Sequence, residues 1–363
     1  MKDQDDRELL IPVDTEDLNK NMGNGFRTIE LVTFLVLAVL KKFWKLCTSL
    51  ALILLLTFWY YGGLLTLFLL MFALFGTFYN AQDMLLYYPD QPSHARLFVE
   101  QPSIMKLPFE NHHIKTKDGV KINIVLIKHA NPNAPTFIYF HGNAGNIGHR
   151  LPNAQGLHSL CGFNVLLVEY RGYGKSEGSP SESGLYLDAE AAMEFVLQRN
   201  DINKNKLLVF GRSLGGAVAI WLASQSRYTQ HISVLIIENT FTSLPDIAKK
   251  IFDFYVLNLV PEFLYKNKFP SLRRIENIKI PTLFLSGMRD TLIPPKMMQK
   301  LHMMSAASKK QLSRFEDGTH NETWMCNGYY ESLSRFVSEV LGSRAMSQAN
   351  ETEPRKPGGT MDV

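Results

Sequence analysis

Leu207-Leu208-Val209-Phe210-Gly211-Arg212-Ser213-Leu214-Gly215-Gly216-Ala217 is the stretch that decides how this chain is read. An apolar run leads straight into Gly-x-Ser-x-Gly, and a small-residue helical pattern follows. A serine between a strand and a helix sits in a strained turn, and its flanking glycines leave room where a side chain would collide with neighbouring backbone. The bare five-residue pattern is common, so its placement between strand and helix carries the specificity. Ser213 is therefore the expected nucleophile.

A serine hydroxyl is a poor nucleophile at neutral pH and needs a base, and the base needs an orienting carboxylate. For a nucleophile on such an elbow the chain order is Ser, then Asp or Glu, then His. Phe284-Leu285-Ser286-Gly287-Met288-Arg289-Asp290 places Asp290 in the loop past an apolar strand, and Phe315-Glu316-Asp317-Gly318-Thr319-His320 places His320 in a loop after the final strand. His320 is the expected base and Asp290 its partner. Glu238, at the end of the preceding strand, is the best substitute for Asp290. Asp317 reads as a turn former before Gly318, and Glu169 as a structural or ion-pairing residue. A tetrahedral intermediate needs backbone donors. His141-Gly142-Asn143-Ala144-Gly145-Asn146 follows a strand at 136–140, so the expected oxyanion donors are the amides of Asn143 and Leu214, with His141 bracing the loop.

Outward from this segment, apolar strand-like runs at 136–140, 164–169, 206–210, 233–238 and 282–286 alternate with helical patterns at 148–160, 181–199, 214–226 and 295–304. Strands apolar along their whole length, separated by helices, specify a mainly parallel sheet covered on both faces. Ahead of them, Asp118-Gly119 marks a hairpin turn between 114–116 and 121–127. Between 241 and 279 an insertion carries Phe252, Phe254, Tyr255, Phe263, Tyr265 and Phe269 and is expected to form a small helical cap.

Residues 46–79 hold no charged side chain. A run of that length is a membrane-span candidate, and at about 1.5 Å per residue it would reach about 51 Å, too long for one untilted crossing. It is read as one tilted or kinked helix, or as a hairpin broken at Gly62-Gly63, within an anchor region 31–79. The block starts too far from Met1 and is too long for a cleaved signal peptide. Arg27, Lys41, Lys42 and Lys45 precede it, whereas Arg96 alone stands in the equivalent stretch after it. The expectation is a single-pass type II protein, with the N-terminus cytosolic and the remainder lumenal or extracellular. Asn321 and Asn350 lie in Asn-x-Thr triplets and are possible glycosylation sites on that side. Residues 1–30 read as a polar tail, 80–110 as a connector and 343–363 as a disordered tail.

The chain has 363 residues, 46% hydrophobic and 20% charged, with a formal net charge of +4 and a mean hydropathy of −0.06. That mild charge, with no basic–aromatic interleaving, excludes nucleic acid as an expected partner. Cys47, Cys161 and Cys326 are too few and too scattered for a disulfide framework or zinc ribbon. His112 and His113 fall on a strand, where adjacent side chains face opposite ways, so no metal is expected there. The glycines from Glu169 to Gly178 lack the dinucleotide spacing, and no cofactor is expected.

The segments Gln82-Asp83 to Pro89, His141 to Arg150, Tyr170 to Gly178, Gly211 to Ile220 and Asp317 to Asn321 together resemble the α/β-hydrolase superfamily, and within it membrane-anchored serine hydrolases. The resemblance covers about 111–342. It implies an α/β-hydrolase fold with an eight-stranded, mainly parallel sheet, a triad at Ser213, Asp290 and His320, and a single-pass anchor with the hydrolase on the non-cytosolic side. The expected function is cleavage of a carboxylic ester, thioester or amide in a lipid-like or acylated substrate beside the lipid bilayer. A serine peptidase of the same fold and a catalytically idle membrane-anchored scaffold remain the alternatives.

Overall fold

In this computed structural model, residues 24–252 and 260–352 are described. Eight strands form one sheet in the order β1-β2-β4-β3-β5-β6-β7-β8. They are β1 (Phe109–Lys115), β2 (Lys121–Ile127), β3 (Thr136–Phe140), β4 (Asn164–Val168), β5 (Leu207–Arg212), β6 (Ile232–Glu238), β7 (Thr282–Gly287) and β8 (Lys310–Phe315). β2 runs antiparallel to β1 and β4, and every pairing from β4 across to β8 is parallel. Every residue of β3 to β7 is buried. The more polar β8 (Lys-Gln-Leu-Ser-Arg-Phe) is an edge strand and stays partly exposed.

The strand period of two sorts side chains to the two faces. In β5, Leu207 and Val209 enter one core and Leu208 and Phe210 the other. The first core is covered by α4 (Glu182–Gln198), α5 (Leu214–Ser224) and the helix Pro295–Met304; the second by α3 (Leu151–Ser159) and the helix Tyr329–Thr352. The last helix buries Leu333, Phe336, Val337 and Val340, one stripe at i, i+3, i+4, i+7 spacing. It continues to Thr352, so the expected disordered tail from 343 is helical through ten of its residues; 353–363 lie outside the described residues.

The chain divides into two units, Met1–Ala81 and Gln82–Val363. The first holds α1 (Asn24–Tyr61), kinked at Phe43, and most of α2 (Gly63–Leu86). Gly62 separates them with a φ of +82°, which glycine adopts without a Cβ penalty. Lys41–Tyr61 and Gly63–Leu86, 21 and 24 residues, are each long and apolar enough to cross a membrane. The uncharged run 46–79, read as one tilted or kinked helix or as a hairpin broken at Gly62-Gly63, thus lies on two helical segments that meet at Gly62. Residues 1–23 of the expected polar tail lie outside the described residues, and from Asn24 the chain is helical.

The second unit begins at Gln82, so it takes in the connector from there on together with the expected 111–342 domain. In the insertion, the helix Leu244–Phe252, a turn at Glu262–Leu264 and the helix Ser271–Ile275 are described. Phe269 and Tyr265 are buried there and Phe263 is exposed, while Phe254 and Tyr255 fall outside the described residues.

A buried polar network ties the centre of the sheet to the last helix. Arg212 Nε donates to Glu238 Oε1 at 2.6 Å, and Tyr329 Oη donates to Glu238 Oε2 at 2.5 Å. Glu238→Ala would leave the Arg212 guanidinium buried without its counter-charge, and removing one partner of such a pair costs about 3–5 kcal/mol. Fluorescence-monitored unfolding in detergent should show that loss, with Glu238→Gln losing less because its amide oxygen still accepts. Equal stability of Glu238→Ala and wild type would remove the network from the fold's supports.

Candidate active site

β3, β5, β7 and β8 are mutually parallel, so the loops after them emerge on one edge of the sheet, where ligands bind in open α/β sheets. Ser213 follows β5 directly with φ +54° and ψ −120°, a conformation that non-glycine residues rarely hold. Close packing enforces it. A Cβ on Gly211 would strike the carbonyl of Gly215, and one on Gly215 would strike the carbonyl of Phe140. β5 and α5 therefore meet at a distance only glycine allows, and the turn between them projects Ser213. The serine's own backbone is fixed by Ser213 N donating to Glu238 O at 2.9 Å and by Thr240 Oγ1 donating to Ser213 O at 2.7 Å.

Asp290 and His320 come together from the loops after β7 and β8. His320 Nδ1 lies 2.7 Å from Asp290 Oδ2. Asp290 Oδ1 accepts the amides of Leu292 at 2.9 Å and Ile293 at 2.8 Å, which fixes the carboxylate with its second oxygen toward the imidazole. Asp290 is buried and His320 is partly exposed. Glu238 is committed to Arg212 and Tyr329. Asp317 faces solvent, 3.0 Å from Arg289.

The sequence reading overlooked the residue that joins these loops. Asn239, with φ +45°, donates from Nδ2 to Thr319 O at 3.1 Å, His320 O at 3.2 Å and Thr323 Oγ1 at 2.9 Å. Its Oδ1 accepts the amide of Gly287 at 2.8 Å. One carboxamide therefore sets the loops carrying Asp290 and His320 against each other. Arg212 Nη1 adds a bond to Asn321 O at 3.4 Å, linking the residues beside Ser213 and His320. The available signal was an asparagine directly after a strand, where αL backbone and local bonding favour that residue.

The loop after β3 packs on the elbow, since a Cβ on Gly142 would lie 3.6 Å from Ser213 Cβ. Leu214 is the first residue of α5, where an amide has no intrahelical acceptor. Tyr170 Oη donates to His141 O at 3.0 Å and Tyr173 Oη to Asn143 Oδ1 at 3.3 Å, and burial pushes both phenols well up, so they stay neutral donors. His141 is buried, with Nδ1 2.7 Å from Gly142 O and Nε2 3.1 Å from Glu169 Oε1, the latter without hydrogen-bond alignment. The connector holds the far side of the loop. Tyr88 bridges Ala144, Gly145 N donates to Gln91 O at 2.7 Å, and Asn146 Nδ2 donates to Ala95 O at 2.8 Å and Phe98 O at 2.9 Å.

Asn321 is exposed next to His320, and Asn350 lies in the last helix. His112 pairs with Glu110 at 2.8 Å, and among the described residues no group of three or more His, Cys, Asp or Glu is arranged to hold a metal ion.

A family profile described as alpha/beta hydrolase fold matches residues 135–256. The chain is 37% identical over 283 residues to Protein bem46 of Schizosaccharomyces pombe, an alignment covering 77% of this chain and 93% of that protein. It is 34% identical to a protein of Saccharomyces cerevisiae titled Uncharacterized membrane protein YNL320W, covering 77% and 95%. Among solved structures, the Pyrococcus furiosus esterase Pf2001 superposes with a TM-score of 0.56 at 21% identity, over 68% of this chain and 98% of that one, a likeness of fold. With its parallel sheet, elbow and loop order, and at this identity over nearly the whole of its relatives, the chain belongs to the α/β-hydrolase family.

Proposed function

We propose that this protein is a membrane-anchored serine hydrolase that cleaves a carboxylic ester, thioester or amide in a lipid-like or acylated substrate. The observation that carries the reading is the 2.7 Å pair of His320 and Asp290, on loops that emerge at the same sheet edge as the strained elbow of Ser213. Ser213 Oγ attacks the substrate carbonyl while His320 Nε2 takes its proton, and Asp290 fixes the imidazole tautomer and stabilises the cation. The amides of Asn143 and Leu214 bind the oxyanion. Collapse expels the leaving group, protonated by His320, and leaves an acyl-enzyme. Water then attacks the acyl carbon, His320 again acting as base, and the free acid departs.

Ser213→Ala and His320→Ala should abolish labelling by a fluorophosphonate serine-hydrolase probe, while wild type labels. Asp290→Asn should lower kcat by about 10⁴-fold, since the imidazole loses its orienting acceptor. Unlabelled wild type would return the chain to an idle scaffold, and cleavage of peptides in preference to acyl esters would favour the peptidase. Asn146 acts as a positioning residue, holding the oxyanion loop to the connector. Asn146→Ala should reduce kcat by about tenfold to a hundredfold with KM little changed, because a small misplacement of the donors is felt in the transition state. A change confined to KM would remove it from that role.

Two apolar helices and a relative titled as a membrane protein support membrane association. The basic flank of Arg27, Lys41, Lys42 and Lys45 supports a cytosolic N-terminus and a lumenal or extracellular hydrolase domain, single-pass type II, with Asn321 and Asn350 open to glycosylation. Endoglycosidase treatment should then sharpen and lower the protein's band. A band unchanged by the enzyme, with the C-terminus cut by protease added from the cytosolic side, would mean that both Lys41–Tyr61 and Gly63–Leu86 cross.

A further inference from the structure

Among the described residues, six of the ten exposed large apolar side chains of the second unit stand on segments at one edge of its sheet. Tyr88, Leu97, Phe98, Phe263, Leu292 and Met325 stand on segments that build or adjoin the candidate site. Tyr88 bridges the oxyanion loop at Ala144, and Phe98 gives its carbonyl to Asn146. Leu292 gives its amide to Asp290, Met325 lies in the turn after His320, and Phe263 lies in the insertion between β6 and β7. Leu97 is 86% exposed, Phe263 73% and Met325 64%, values that leave most of each residue without protein cover. The others, Ile104, Leu160, Met303 and Met304, lie elsewhere; Leu160 and the two methionines sit at helix ends that lead to the amino ends of β4 and β8. Single exposed hydrophobics need no explanation, but six on the segments of one functional edge mark an interaction surface.

Chain continuity names what covers it. The last turns of α2, an apolar helix long enough to cross a membrane, are already clasped into this unit. Gln82 Nε2 donates to Leu264 O at 3.0 Å, and Gln82 Oε1 accepts the amide of Lys266 at 2.8 Å. Asp83 pairs with Lys266 Nζ and accepts from Asn267 Nδ2 at 2.7 Å. Gln82 stands three residues past Tyr79, where the uncharged run ends, a helical rise of about 4.5 Å. The clasp therefore holds Leu264, which follows Phe263, against Gln82, itself three residues along the chain from the end of the apolar run, and Tyr88 follows α2 by two residues.

We infer that this edge rests in the headgroup region of the bilayer that holds α2, its apolar side chains inserted, so that an acyl chain passes from the lipid to Ser213 without crossing bulk water. The inference rests on the hydrolase reading for the identity of the substrate, and on the clasp and the exposed edge for the contact itself. Loops on an aqueous surface gain nothing from Leu97 or Phe263, whereas at an interface each buries apolar area.

The test uses full-length protein carrying Cys47→Ser, Cys161→Ser and Cys326→Ser, reconstituted in phosphatidylcholine vesicles with a nitroxide-labelled phosphatidylcholine near the headgroup. An environment-sensitive fluorophore is placed at Leu97→Cys, Phe263→Cys or Leu292→Cys, with Leu160→Cys and Met303→Cys as opposite-edge references. Emission at the first three should drop about twofold or more while the references keep theirs, as insertion of one face requires. Absent quenching, or equal quenching at all five, overturns the inference. A second measurement guards against misfolded label variants: Phe263→Ser combined with Leu97→Ser should slow cleavage of a long-chain ester embedded in the vesicle by about tenfold and leave a water-soluble short-chain ester unaffected. Equal effects on the two esters would count against it. Fluorophosphonate labelling of the same preparation separates the two ideas. A labelled enzyme with an unquenched edge keeps the hydrolase and loses the interface, and a quenched edge on an unlabelled protein does the reverse.

Discussion

The carboxamide of Asn239 is the bond set on which the site depends. It stands where β6 ends, in the left-handed conformation, and satisfies the backbone of the β7 end and the β8 loop at once. Its neighbour Thr240 holds the carbonyl of Ser213, and the preceding Glu238 holds both the amide of Ser213 and the guanidinium of Arg212. Three consecutive residues of one strand end therefore reach every loop that carries a member of the Ser213, Asp290 and His320 set. Buried polar groups of this kind are costly unless fully partnered, and here the partners are the loops that need fixing.

The same economy explains the glycines of the elbow. Gly211 and Gly215 bring strand and helix into contact, and the strain at Ser213 is held by the surrounding hydrogen bonds and by the helix packed behind it. The loop after β3 is braced from two directions, by the buried Tyr170 and Tyr173 and by the connector. The polypeptide that leaves the apolar helices is thus part of the candidate site's framework. It fastens to the insertion through Gln82 and Asp83 and to the loop after β3 through Tyr88, Gln91, Ala95 and Phe98.

What could be read in the chain followed from local rules. Fully apolar strands, Gly-x-Ser-x-Gly between strand and helix, and the order of Asp290 and His320 each follow from short-range chemistry, and those runs became buried parallel strands. The last helix was cut short in the reading because its final residues are polar, although its hydrophobic stripe had already committed the backbone to a helix. The connector's contacts with the domain were not read because a Pro- and aromatic-rich stretch lacks periodicity, and they are with residues tens to nearly two hundred positions away.

By itself the sequence determined the fold class, the candidate nucleophile with its base and acid, and the presence of an apolar segment near the N-terminus, because periodicity, turn chemistry and charge are properties of neighbours. Tertiary structure alone decided what Glu238, the substitute for Asp290, does instead: it is consumed by Arg212 and Tyr329, residues 26 positions before it and 91 after it. It also decided that Asn239 ties the loops and that the connector belongs to the site. Those outcomes depend on which buried polar groups find one another when the sheet closes, and no local pattern in the chain encodes that pairing.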